Sequence, residues 1–478
     1  MQANAFVLAA LLLYVIFGAA LVIVFRGIRG IMAAIVIGWL FLPPVKGIDL
    51  PGIPVFTKEY AVSYAILLGV ILSDSAKLMS FKPKLIDLPI LIYILVPFFS
   101  SITNGLGAYD GMSGIYAKFF IFGVPYLLGR IFIKNPNDVK IVAKWFLYAG
   151  LIAIPMIVWE SKMSPQLNKQ IYGYQASPFN MTQRLGGYRP MMFMRHGLEV
   201  GLWIATSGAV ALWLWITSAK KFRLFNLPIA PFTSAILAAT VLSRSLGAIF
   251  LLAGTTAVAV FVRSTGFRIA LIALILTPSI YLSVRISNIW TPSQFTAIIA
   301  SIDAERASSL QARLDQEVNF SKHALRKPIF GWGGYNRFRP VNDDGGSDAV
   351  DGLTTIVLGS NGLVGLLAYL GMTTLPSLLV IHRIKGRAIT SALWAPGVGI
   401  ILAISILAMD MLLNSFYTPL HLIGIGVIAS IAVQAKQWQQ IMQTHQNQIR
   451  PPTPPNGYKA EPSPPEPVIP IMYPPRSA

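Results

Sequence analysis

The chain contains no cysteine, which removes disulfides, thiolate nucleophiles and Cys-ligated metal from consideration. Charge is scarce as well: 12% of the 478 residues are Asp, Glu, Lys or Arg, against about 25% in an average soluble chain. Within that small set acidic residues are the minority, 19 against 38 Lys and Arg. Histidine occurs five times with no His-x-x-x-His pair, and no Asp-x-Asp stands where a sugar-nucleotide enzyme would hold a divalent ion, so neither a metal nor a cofactor is expected. Walker, Rossmann and Gly-x-Ser-x-Gly signatures are missing, which argues against nucleotide-driven chemistry. No internal repeat of the inverted kind carried by many secondary transporters is visible.

What is abundant is apolar sequence. Hydrophobic residues make up 54% of the chain, in runs of about twenty residues punctuated by Gly, Pro and basic clusters, the length of a helix crossing a ~30 Å hydrocarbon core. The expected fold is an all-α polytopic transmembrane bundle of about 12–13 helices; the short alternating segments of an outer-membrane barrel are not seen. Spans are read from Ala5–Val24 at one end to Leu353–Ile381, Leu393–Leu413 and Leu420–Val433 at the other. Met1-Gln-Ala-Asn-Ala-Phe6 lacks the basic region and Ala-x-Ala exit of a cleaved signal, so the first helix is expected to stay. The organisation expected is transmembrane helices over 1–285 with a polar loop near 160–195, a large polar loop over 286–351, further transmembrane helices over 352–436, and a Pro-rich disordered tail over 437–478.

The formal net charge of +19 is scattered through short inter-helix loops, not gathered in a stripe with aromatics, so the basic residues read as topology signals and anchors to anionic lipid, and nucleic acid is not an expected partner. Clusters at Arg26/Arg29, Lys77/Lys82/Lys84, Arg130/Lys134/Lys140, Lys220/Lys221/Arg223, Arg263/Arg268 and Arg383/Lys385/Arg387 fall on alternate turns and define a cytoplasmic face. Both polar loops are then expected on the opposite, non-cytoplasmic side, which in a bacterium is the periplasm.

The residues able to carry chemistry gather in those loops. Arg306 and Arg313 stand seven apart, two helical turns, so a helix there shows both on one face; they are candidates for holding a phosphate or pyrophosphate, or simply members of an amphipathic helix on the membrane surface. Arg244 interrupts two apolar runs in Ser243-Arg244-Ser245, and is either a snorkelling cation or a ligand-binding one. Arg189, Arg195, His196 and Glu199 follow Gly186-Gly187-Tyr188; His196 is an acid–base candidate or a structural residue at a helix start. Asp351 heads the next apolar run, as a helix N-cap or as a carboxylate that takes a proton from a sugar hydroxyl.

Taken together these pieces resemble the O-antigen ligase/polymerase superfamily of bacterial envelope glycosyltransferases. Ala239-Thr-Val-Leu-Ser-Arg244-Ser-Leu-Gly-Ala-Ile-Phe is similar to its "T-x-S-R" helix junction, and Arg313 through Gly334 to its "R…P-x-x-G-x-G" loop. His196-Gly-Leu-Glu-Val-Gly201 is similar to its "H-x-N/G-x-x-(A/G)" pattern, and Asp351 to Gly365 to its His-Asn, nine residues, Gly-x-x-Gly signature. The motifs cover residues 190 to 380. In one place the chain departs: Asp351-Gly352 stand where that family carries His-Asn, so either Asp351 replaces the histidine as base or that role is absent. The departure favours a polymerase or ligase of another exopolysaccharide over a lipopolysaccharide ligase.

The resemblance implies a GT-C-like bundle that works without metal outside the inner membrane. It implies an undecaprenyl-pyrophosphate-linked glycan as donor, a glycan or lipid as acceptor, and other envelope polysaccharide export proteins as partners beside the bilayer. Arg244 and Arg313, with Arg189 and Arg306, would bind the pyrophosphate, and Asp351 or His196 would assist an inverting attack. Two other classes remain open: a transporter of polysaccharide or lipid-linked sugar, for which Asp410 within a late span is the relevant residue, and a non-catalytic subunit of an envelope machine.

Overall fold

The computed structural model describes residues 4–449 apart from 50, 51, 53, 185, 219–221, 288, 290–295, 298, 299, 302, 303, 341–349 and 385. The chain divides into two units, Met1–Ala435 and Lys436–Ala478; in the second, the described residues 436–449 are helical, and the Pro-rich stretch from Pro451 on lies outside the described residues.

Among the described residues ten helices are long and apolar enough to cross a membrane, and three more are apolar but shorter, so the chain is a multi-pass helical membrane protein. The helices are α1 (Ala5–Phe25), α2 (Gly27–Phe41), α3 (Lys58–Met79), α4 (Leu88–Thr103), α5 (Ala108–Lys118), α6 (Val124–Phe132), α7 (Pro136–Met163), α8 (Leu167–Tyr172), α9 (Gly197–Ser218), α10 (Ala230–Leu242), α11 (Leu246–Thr265), α12 (Ile269–Ile286), α13 (Ala304–Ala324), α14 (Leu353–Arg383), α15 (Ala395–Asp410) and α16 (Pro419–Ile449). A π-helical turn, Phe119–Gly123, joins α5 to α6 into one span. Two antiparallel two-stranded hairpins, β1 (Gln183–Arg184) with β2 (Gly187–Tyr188) and β3 (Arg223–Leu224) with β4 (Leu227–Pro228), are the sheet structure among the described residues.

Helix α9 is the hub, packed on α7, α10, α11 and α15, and its Trp203, Ala205, Val210 and Trp213 are fully or almost fully enclosed. By contrast α1 leaves Leu12, Leu13, Ile16 and Phe17 exposed, the surface a lipid-facing helix presents.

Helix α14 is not the uninterrupted span expected from Leu353–Ile381. It breaks at Gly362, whose φ of 64° and ψ of −165° only glycine adopts readily. The backbone groups freed by the break are taken up by the segment Pro328–Gly333. Trp332 N–H donates to the Gly359 carbonyl at 2.8 Å and Gly333 N–H to that of Ser360 at 3.0 Å, while Leu363 and Val364 donate back to Pro328 and Ile329 at 2.7 and 3.2 Å. A Cβ on Gly331 would stand 2.6 Å from the Gly359 carbonyl oxygen, and one on Gly362 would strike that of Ile329. The glycine-rich loop and the broken helix therefore form one interlocked unit, as irregular backbone inside a membrane protein requires.

Lys58, Glu59 and Tyr60 open α3. Two further expectations change. Gly352, not Asp351, is the N-cap of α14 and no side chain caps it, because the backbone there is tied to another stretch, Leu353 N–H donating to the Asn414 carbonyl at 2.9 Å. Asp410 is not deep in a span but the last residue of α15, where its Oδ1 accepts from the Asn414 side chain at 2.9 Å.

Candidate functional site

The loop between α8 and α9 is held in place by buried charge. Glu160, fully enclosed near the end of α7, accepts the backbone N–H groups of Leu167, Met191 and Met192 at 3.0, 2.7 and 2.6 Å. Lys58 donates to the Phe193 carbonyl at 2.8 Å and lies over the Trp39 ring, 4.3 Å from its centre. A buried ion survives only when its polar capacity is met; here main chain of this loop meets most of it, with Leu167 at the start of α8 and the Trp39 carbonyl, 3.4 Å from the Lys58 ammonium, adding the rest.

At the start of α9, Glu199 Oε2 accepts from the Arg195 N–H at 3.0 Å and lies 3.5 Å from the Arg195 Nε, while Oε1 accepts from the Trp39 indole at 3.1 Å. His196 Nδ1 accepts the Leu198 N–H at 3.1 Å, satisfying one of the unpaired donors of the helix end. That bond puts the proton of the neutral ring on Nε2. The imidazole stacks against Phe416, rings 5° from parallel and 5.9 Å apart.

Arg244 sits at the interruption between α10 and α11 with a φ of 51°, a left-handed backbone that costs a non-glycine residue about 1–2 kcal/mol. Its Nη1 donates to the Arg184 carbonyl at 2.9 Å, and its guanidinium occupies the space where a side chain on Gly187 would begin. Arg189, only 7% exposed, donates from Nη2 to the Arg244 carbonyl at 3.3 Å and packs on Gly197, where a methyl group would collide with it. Arg189 therefore links Arg244, 55 residues away, to Gly197, the residue that follows His196.

Asp351 is exposed and lines a shallow open cleft with Glu317, Phe320, Thr355, Leu412 and Leu413. Glu317, on α13, receives the Tyr281 hydroxyl at 2.9 Å and lies 3.6 Å from Arg285. Burial pushes the Glu317 carboxyl above its usual range, with Arg285 and Tyr281 opposing. The stretch 411–418 joins the two places, since Met411 and Asn414 bond to the start of α14 and Phe416 stacks on His196. Arg306 and Arg313 lie on the backbone of α13; their side chains are outside the described residues. No group of three or more His, Cys, Asp or Glu suited to a metal occurs among the described residues.

Sequence reasoning passed over Lys58 and Glu160 and gave Arg195 no role of its own. The available signal was an ionisable residue at the end of an apolar run, the feature that picked out Arg244. Neither a protein-family model nor a curated protein sequence matches this chain.

Proposed function

We propose that the protein is an inner-membrane glycosyltransferase that polymerises or ligates an undecaprenyl-pyrophosphate-linked glycan on the periplasmic side. The observation that carries this reading is the basic corner itself: Arg244, locked in a left-handed backbone between two apolar helices, with its carbonyl bonded to buried Arg189, which packs on Gly197 next to His196. Guanidinium groups fixed before the reaction stabilise charge as it develops on a departing pyrophosphate, and they do so without a divalent ion. The energy for transfer is stored in the donor's own phosphate ester.

Of the two acid–base candidates, Asp351 is the proton acceptor. His196 spends Nδ1 on the helix end and presents a proton at Nε2, so it serves as a donor to a phosphate oxygen. Asp351, exposed in its cleft, takes the proton of the attacking hydroxyl.

The broken helix α14 is the feature that speaks for a transporter, since such breaks build midplane binding sites. Here, however, its Gly359 and Ser360 carbonyls and its Leu363 and Val364 N–H groups are engaged by the segment Pro328–Gly333, which favours the enzyme. Deletion of the gene in its host and extraction of lipid-linked glycans tests the reading: short undecaprenyl-linked units accumulate for a polymerase, long ones for a ligase. Unchanged pools reject both.

A further inference from the structure

A row of tyrosines leads into the same region from the side of α3 and α5. Tyr335 is 68% exposed; its hydroxyl shares a hydrogen bond of 3.0 Å with Ser113, and Arg337, 3.2 Å from Asp110, lies over its ring at 5.4 Å. One turn along α5 from Ser113 comes Tyr116, half-buried, with its ring 5.8 Å from Tyr60 and 4.8 Å from Phe120. Tyr60 is buried and follows Glu59 on α3; Phe120, the next ring from Tyr116, stands two residues before Phe122, whose ring lies 4.7 Å from Tyr417. Tyr417 and Phe416 then carry the Arg195 guanidinium over their rings, at 5.5 and 5.6 Å, and Phe416 stacks on His196. Exposure falls from Tyr335 through Tyr116 to Tyr60, and Tyr417, Arg195 and Glu59 all keep partial access.

We infer that this row is a binding track for a neutral sugar chain, running from Tyr335 at the mouth to Arg195 and Glu59 beside the basic corner. Planar rings offer apolar faces to the C–H faces of a pyranose, and each tyrosine adds a hydroxyl able to donate and accept. Arg195 and Glu59 supply charged partners for sugar hydroxyls at the inner end. A phosphate is the poorer occupant, because the two guanidiniums along the row are already paired, Arg195 with Glu199 and Arg337 with Asp110. The identity of the occupant as a glycan substrate rests on the function proposed above; the chemistry of the track does not.

Saturation-transfer NMR on the purified full-length protein, with cellohexaose, maltohexaose, xylohexaose and mannohexaose as probes, tests the track without requiring turnover. At least one hexaose should receive saturation at its ring protons. Tyr335→Ala and Tyr116→Ala should each weaken that binding about tenfold, the scale of one lost aromatic partner. Tyr335→Trp, at an exposed position that leaves folding untouched, should retain it, and Arg244→Ala should leave it unchanged. Saturation of none of the four hexaoses, or binding indifferent to both alanine variants, would overturn the track. Intact hexaose binding in a protein whose deletion leaves lipid-linked glycans unchanged would remove the transferase and keep the track.

Discussion

The guanidinium of Arg244 fills the space that a side chain on Gly187 would need. The hairpin of β1 and β2 and the junction between α10 and α11 are thereby fitted to each other. Gly187 has no positive φ to protect, so Gly187→Ala leaves the backbone unstrained and acts only by moving Arg244. The expected result is loss of complementation with a stability change within about 1 kcal/mol. Thermal unfolding of the purified variant, measured beside the assay of lipid-linked glycans, checks both halves.

Glu160 governs the loop that carries Arg189, Arg195 and His196. Glu160→Ala strands three backbone N–H groups, two of them buried with Met191 and Met192, and should cost about 3 kcal/mol or more. A lowered midpoint in a thermal scan, with faster proteolysis between Met163 and Gly197, is the expected outcome.

Gly362→Ala and Gly331→Ala should each prevent the loop from closing on α14. Both positions have positive φ and both new methyl groups meet main chain, not a side chain that could turn away. A penalty of about 3 kcal/mol should appear as loss of folded protein in membranes, read by size-exclusion chromatography in detergent.

Glu317 gives a pH dependence whose sign follows from its burial. Its carboxyl is held above its unfolded value, so the protonated form is favoured by folding, and that contribution is complete below the unfolded value of about 4.3. It is lost as pH rises through the higher folded value. Glu317→Gln, which cannot ionise, should therefore gain stability relative to the parent as pH rises from about 4.3 toward neutrality. Thermal scans of both proteins across that range give the comparison.

The apolar runs announced most of the spans, because lipid imposes length and composition on every crossing segment by itself. Arg244 was legible for a related reason: a permanent charge between two apolar runs is costly wherever it falls. The break at Gly362 was hidden, since glycines at 359, 362 and 365 suit close helix packing as well as a kink. What fills the break is Pro328–Gly333, across a stretch whose sequence says nothing of its partner. Glu160 and Lys58 were passed over for the same cause, their contacts lying 32 and 135 residues away. The tyrosine row is assembled from α3, α5 and two loops, and no local pattern unites Tyr60, Tyr116, Tyr335 and Tyr417.

The central claim is that Arg244 grips a lipid-borne diphosphate. Complementation of the deletion by Arg244→Ala, with protein level in the membrane followed alongside and lipid-linked glycans extracted from the same cells, tests it most directly. Normal protein level with accumulated undecaprenyl-linked glycan is the expected result. Glycan pools restored to the level given by the unmutated gene would contradict it.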